Sequence, residues 1–265
     1  IPYFLEAGNH VRAAGALRKV GYEMTNGGKG STVMSCIERL PLVDVDRDPE
    51  LLMVYSYAQM SGGRLNEAIG NLTRAIRMMT KYQKRPKDLA QAYYDLGSIY
   101  FNLGRFDSAK RCLTRALRTS TTRRALSDAA IMNSLGLIYS KMGGRRFKDA
   151  AECFKKASAI VRRFSENKGL EASIINNWAM TERKSGNLLV AHAKISGAVK
   201  LLKQEANFSP QFGSIFYNAV RLSVCLGEPA QAKAILKLGL ELCEQYNDRC
   251  SLAIIWRGYA TYYEE

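Results

Sequence analysis

Alanine recurs along the chain at positions 68, 109, 150, 191 and 232, a constant step of 41 residues, and each copy keeps the same company. The clearest copy is Leu96, Gly97, Tyr100, Gly104, Phe106, Ala109, Leu113, Ala116. The next is Leu135, Gly136, Tyr139, Gly143, Phe147, Ala150, Phe154, Ala157, with two extra residues in its turn. Upstream the slots hold Ser56, Gly63, Leu65, Ala68, Leu72 and Ala75; downstream they hold Trp178, Ala179, Gly186, Leu188, Ala191, Ile195 and Ala198, then Gly227, Pro229, Ala232, Leu236 and Gly239. A repeat of this length, with apolar residues three and four apart, predicts one helical hairpin per copy.

The slots have physical reasons. Small residues on both helices of a hairpin let their backbones approach, and the apolar residues form the stripe that each helix buries. The glycine between them ends the first helix at positive φ. A single hairpin cannot bury both its faces, so neighbours must stack into a solenoid stabilised by nearest-neighbour contacts. Loops such as KYQKRPKD and STTRRALSD are expected to carry the residues that raise the period above the usual 34 or so.

These residues resemble the tetratricopeptide repeat over residues 49–265, with the last pair represented by one helix near Trp256, Gly258 and Tyr262. The resemblance implies an all-α, right-handed superhelix of helical hairpins. Residues 1–48 depart from the period and look like three helices forming a short adaptor. In that stretch Glu6, Ala7, Gly8, Asn9, Ala13 and Ala14, then Gly21 and Gly28, then Leu40 and Pro41, followed by Pro49, Leu51 and Leu52, are similar to the segment that joins the ATPase to the repeats in MalT-like, LuxR-type ATP-dependent transcription activators. Asn9 stands where that pattern has Asp. The likeness implies a sensor region that binds an inducer or partner and relays it to oligomerisation. Ile1 at the start, in place of methionine, is taken as a sign of a longer polypeptide. The alternative is a passive scaffold that holds an extended peptide.

Composition narrows the chemistry. His10 and His192 are the only imidazoles, and no CxxC or HExxH occurs, so metal sites, cofactors and histidine-based catalysis are not expected. The stretch Asn26–Thr32 is rich in glycine, but Lys29 is followed by Gly30 and not by Ser or Thr, so a turn is expected there instead of a phosphate loop. The six cysteines are too scattered for a disulfide scaffold, and Cys112 and Cys153 fit as packed thiols, which points to a reducing, cytoplasmic setting. No apolar run is long enough to span a bilayer.

Binding is the remaining function, and the first helix of each hairpin is where the resemblance puts it. Aligned by the repeat, Met53, Tyr94, Asn133, Asn176 and Tyr217 form one row, with Asp95, Ser134, Asn177 and Asn218 beside it; Tyr57, Met180, Arg183 and Arg221 lie a turn further on. Asparagine is a weak helix former, so its recurrence asks for an offsetting role. Its amide donates and accepts together, which suits gripping a peptide backbone. Tyr57, Tyr94, Asn133, Asn176, Asn177, Arg183, Tyr217, Asn218 and Arg221 are therefore the candidate groove residues, for a protein, peptide or small-molecule inducer. Amide bonding between stacked helices is the competing account.

The net charge is +15, and cations cluster at the ends of second helices and the loops after them: Arg77, Lys81, Lys84, Arg85 and Lys87; Arg115, Arg118, Arg123 and Arg124; Lys155, Lys156, Arg162 and Arg163; Lys200 and Lys203. Such an edge is either a solvated face that complements helix dipoles or a docking surface for an acidic partner. No recognition-helix motif accompanies it, so direct nucleic-acid binding is not expected.

Overall fold

A computed structural model describes residues 1–265 except 82–85, 121–124, 166, 205–211 and 265, together with the side chains of 86, 87, 125, 261 and 264. The described residues form helices and turns without strands. The chain divides into two compact units, Ile1–Arg123 and Arg124–Glu265. The first holds α1 (Pro2–Glu6), α2 (His10–Met24), α3 (Gly30–Glu38), α4 (Leu42–Asp46), α5 (Pro49–Ser61), α6 (Leu65–Lys81), α7 (Pro86–Asn102) and α8 (Phe106–Thr119). The second holds α9 (Ala125–Met142), α10 (Arg146–Phe164), α11 (Lys168–Lys184), α12 (Leu188–Leu202), α13 (Gly213–Cys225), α14 (Pro229–Gln245) and α15 (Arg249–Glu264).

The repeat register is the packing register. All five anchor alanines are fully buried, as are Ala75, Ala116, Ala157 and Ala198 two turns on. Each hairpin, α5 with α6, α7 with α8, α9 with α10, α11 with α12 and α13 with α14, is closed by this small-residue seam. The first-helix partner of the seam is small for a measurable reason. A Cβ on Gly97 would stand 2.9 Å from the Leu113 side chain, and one on Gly136 would stand 2.7 Å from the Phe154 ring.

Hairpin turns repeat as closely as the seam. Gly104 has φ of 71°, and Arg105 N donates back to Tyr100 O at 2.8 Å, the six-to-one bond that closes a Schellman turn. The same bond recurs from Arg64 to Gln59, Asn187 to Glu182 and Glu228 to Ser223, each at 2.9 Å. The longer turn of the third hairpin instead places both Gly143 and Gly144 at positive φ. Helix starts outside these turns are set by side chains: Asn9 caps α2, Asp48 caps α5, Asn167 caps α11, and Asp248 Oδ1 accepts from Cys250 N and Ser251 N.

Residues 1–48 differ from the three-helix expectation. They contain α1 to α4, with α2 and α3 joined by a wide turn, Thr25–Lys29, in which Gly28 has φ of 80°. This is also where the phosphate-loop candidate lies. Gly21, Gly28, Gly30, Val33, Ile37 and Leu40 keep the spacing of Gly97, Gly104, Phe106, Ala109, Leu113 and Ala116, and Val33, Ile37 and Leu40 are buried. The α2–α3 pair therefore occupies hairpin register. Its α3 has only 9 residues, so Gly63 follows Gly28 by 35 positions and the 41-residue period passes over it.

Candidate functional site

Within the second unit, α9 touches α11 and α11 touches α13, and α11 and α13 each also pack on the second helix before them, α10 and α12. They form the inner layer, and the asparagine rows lie on it. Asn177 Nδ2 donates to Asn133 Oδ1 at 3.1 Å, and Asn218 Nδ2 donates to Asn176 Oδ1 at 3.0 Å. One turn on, the Thr181 and Ser140 hydroxyls share a hydrogen bond of 2.9 Å. Each rung joins a residue of one helix to the neighbouring row of the next, so the amides bond between stacked helices. An amide offers two donors and a carbonyl acceptor, and every rung uses one donor and one acceptor. Asn177 Oδ1 and Asn133 Nδ2 keep theirs unused among the described residues, fixed in orientation by the rung. Asn176 is buried; Asn133, Asn177 and Asn218 are half-buried.

Cations border this ladder. The Arg221 and Arg257 guanidinium carbons each lie 5.5 Å from the centre of the Tyr217 ring, a spacing at which the ring quadrupole attracts them. At the C-terminal ends of α9 and α11, burial and the charges of Lys141 and Arg183 push the Lys184 ammonium below its usual pKa. Arg183 Nε is itself enclosed and without a partner among the described residues. Arg257 is a residue the sequence reading did not include. The available signal was the neighbouring Gly258, a small residue of α15 that faces Leu236 of the preceding helix α14.

Tyr57 and Tyr94 belong to the first unit, apart from the other seven candidates. There α2, α5 and α7 supply the corresponding layer. Tyr57 OH donates to Asn26 Oδ1 at 2.6 Å, and its ring lies 5.0 Å from that of Tyr22. Tyr94 is half-buried, and its neighbour in the chain, Asp95, has an enclosed carboxyl. Burial pushes Asp95 up to about 7, against the lowering effect of its hydrogen bond from Gln91. Elsewhere in this unit Tyr93, Tyr100, Arg111, Cys112 and Arg115 line an open groove of about 280 Å³ on α6, α7 and α8, and Arg115 stacks on Tyr93.

The basic edge is partly consumed by local pairing. Arg162 donates to Glu171 Oε1 through Nε at 2.9 Å and through NH2 at 2.6 Å, and Lys156 reaches Glu152 at 3.5 Å. Lys84, Arg85, Arg123 and Arg124, with the rest of 82–85 and 121–124 in the KYQKRPKD and STTRRALSD loops, lie outside the described residues, as does the Lys87 side chain. The cysteines are free thiols. Burial pushes Cys153 and Cys243 up to about 11, so neither is a ready thiolate. Among the described residues, no helix is long and apolar enough to cross a membrane.

Comparison with known proteins places this geometry. Residues 88–163 match the tetratricopeptide repeat family model. No curated protein matches the sequence. Among solved structures, BtubC from P. vanneervenii is similar at 20% identity, with 92% of each chain covered and a TM-score of 0.64. PilF of Pseudomonas aeruginosa is similar at 15% identity, covering 92% of this chain and 96% of that one, with a TM-score of 0.61. A putative kinesin light chain from Podospora anserina with nearly identical TPR-like repeats is 15% identical over 71% of this chain and 94% of its own, with a TM-score of 0.60. At such identities the likeness is one of fold. Residues 88–163 thus match the tetratricopeptide repeat, and the chain has the fold of a helical solenoid of that type.

Proposed function

We propose that the chain is a non-enzymatic interaction scaffold that holds an extended, acidic partner segment on the inner layer of its second unit. The carrying observation is the amide ladder, Asn133 with Asn177 and Asn176 with Asn218. Fixed amides offer a peptide backbone donors and acceptors whose ordering cost is met on folding. The cations beside the ladder select the partner's charge: Arg221 and Arg257 around Tyr217, and Lys141, Arg183 and Lys184 at the helix ends. Tetratricopeptide folds bind proteins and peptides, which agrees with this reading.

The finer reading, an inducer-sensing segment of a MalT-like regulator working in the cytoplasm, rests on the motif from Glu6 to Leu52. In the fold those residues have packing duties. Asn9 caps α2, Gly21 admits Val54 to the α2 backbone, and Leu51 and Leu52 are core. The scaffold reading needs no more than the inner layer itself.

Titration with short extended peptides of matched length and differing charge tests the proposal. Acidic peptides are expected to bind at least about tenfold tighter than neutral ones. Asn177→Ala combined with Asn218→Ala should weaken them while helicity is kept, and Arg221→Gln should flatten the salt dependence. Equal affinity across charges, or an unaffected double variant, overturns it.

A further inference from the structure

On the inner layer of the first unit, two oxygen atoms are enclosed and yet have no hydrogen-bond partner among the described residues: Asp95 Oδ2 on α7 and Tyr22 Oη on α2. Asp95 is 4% exposed, and its other oxygen accepts from Gln91 Nε2 at 2.8 Å. The Tyr22 ring leans on that of Tyr57 on α5. The Tyr57 hydroxyl hydrogen is given to Asn26 Oδ1, so Tyr57 has no hydrogen to donate to Tyr22 Oη. Asp95 is the charged neighbour that acts most strongly on Tyr22, ahead of Asp88 and Tyr57; together with burial, these hold the Tyr22 hydroxyl protonated.

Among the described residues, no cation is among the groups that act on Asp95 or on Tyr22, so within them this enclosed carboxyl has no counter-ion. The chemistry of the two oxygens selects what can fill the gap. An ionised carboxyl accepts only, and a phenol oxygen can accept one further donor. A ligand that donates at several points satisfies both, whereas a carbonyl or an anion would serve Tyr22 alone and meet Asp95 as a like charge. The faces of Tyr22 and Tyr57 favour a cation as well. Because both oxygens are shut in, the cation must arrive at the end of a thin apolar stem.

We infer that the inner layer of the first unit receives a lysine or arginine side chain of an extended partner segment, with Asp95 Oδ2 and Tyr22 Oη as its acceptors and the Tyr22 and Tyr57 rings as its wall. The inference shares with the proposed function the idea that inner layers hold extended segments. It concerns different helices, different residues and the opposite charge.

Calorimetric titration of the full chain tests it with three probes: the capped pentapeptide Ala-Ala-Lys-Ala-Ala, the same peptide with norleucine for lysine, and n-butylammonium. The lysine peptide is expected to bind at least about tenfold tighter than either of the others. Asp95→Asn should reduce it to the norleucine level, and Tyr22→Phe should weaken it severalfold. Both changes keep side-chain shape, and circular dichroism verifies that both variants fold. Asn177→Ala should leave this binding unchanged, so failure here and failure of the acidic-segment reading register separately. Equal affinity for the norleucine peptide overturns the cation, equal affinity for butylammonium overturns the extended segment, and an inert Asp95→Asn overturns the site.

Discussion

Asp95→Asn should stabilise the protein by an amount that grows with pH. Burial raises the Asp95 carboxyl from its usual 3.8 to about 7, so the folded chain holds this proton more tightly than the unfolded chain does. For an acid whose folded pKa is raised, the stabilising contribution is complete below the unfolded pKa and is lost as pH rises through the folded one. The distance between the two values, at about 1.36 kcal/mol per pKa unit, gives an order-of-magnitude cost of about 4 kcal/mol for carrying the ionised group above neutrality. Asparagine has the same shape and no charge, and its amide can still take a hydrogen bond from Gln91. Urea unfolding of both proteins from about pH 5 to about pH 8.5 should show the difference in stability widening by roughly 2 to 3 kcal/mol, nearly all of it before the upper end. Native-state hydrogen exchange should place the gain in α5 and α7. Two stability curves that run parallel across this range would refute the reasoning, since they would mean that the enclosed carboxyl is ionised, and compensated, throughout.

Three further outcomes test the packing and the ladder. Gly136→Ala should lower the melting temperature, because its new methyl meets the enclosed Phe154 ring at 2.7 Å and overpacking costs roughly 1 to 3 kcal/mol; Gly70→Ala, on open surface of α6, should raise stability by about 0.5 to 1 kcal/mol. A double-mutant cycle on Asn133 and Asn177 by chemical denaturation should return a coupling of about 0.5 to 1.5 kcal/mol, and a coupling of zero would mean that the rung is not formed. Arg162→Met leaves the Glu171 carboxylate, only 4% exposed, with the Ser158 hydroxyl at 3.4 Å; a loss of about 2 to 3 kcal/mol in unfolding free energy is expected.

What the sequence made legible follows from how local the physics is. Leu113 against Gly97 and Phe154 against Gly136 are contacts within one hairpin, fixed by spacing along a short stretch, and the same spacing recurs until it is unmistakable. The α2–α3 pair obeys the same rule but escaped it. Gly30 replaces the aromatic residue that Phe106 supplies, and a 9-residue α3 breaks the period. Register there is held by close approach instead, Gly21 to Val54 and Gly30 to Ser61. A periodicity search is insensitive to such contacts, because they join residues of different repeats at irregular separations.

The candidate sites mark where that locality ends. The rows of Asn133, Asn176, Asn177 and Asn218 follow from the repeat alone, and the structure pairs them in two rungs. Their partners do not follow, because each rung joins adjacent rows of successive helices, at separations of 44 and 42 residues and not of one period. Whether an asparagine points into a groove or across to its neighbour depends on the relative rotation of two helices, which no single-helix pattern encodes. Asp95 is the stronger case. In the linear pattern it is one more polar residue beside Tyr94, equivalent to Ser134 and Asn177. Only when α2 brings Tyr22 up to α5, against Tyr57, does it become an enclosed acid with an unpartnered oxygen beside it. A polar residue of the inner layer thus acquires chemistry from what the neighbouring hairpins fail to give it, and that failure exists only in three dimensions.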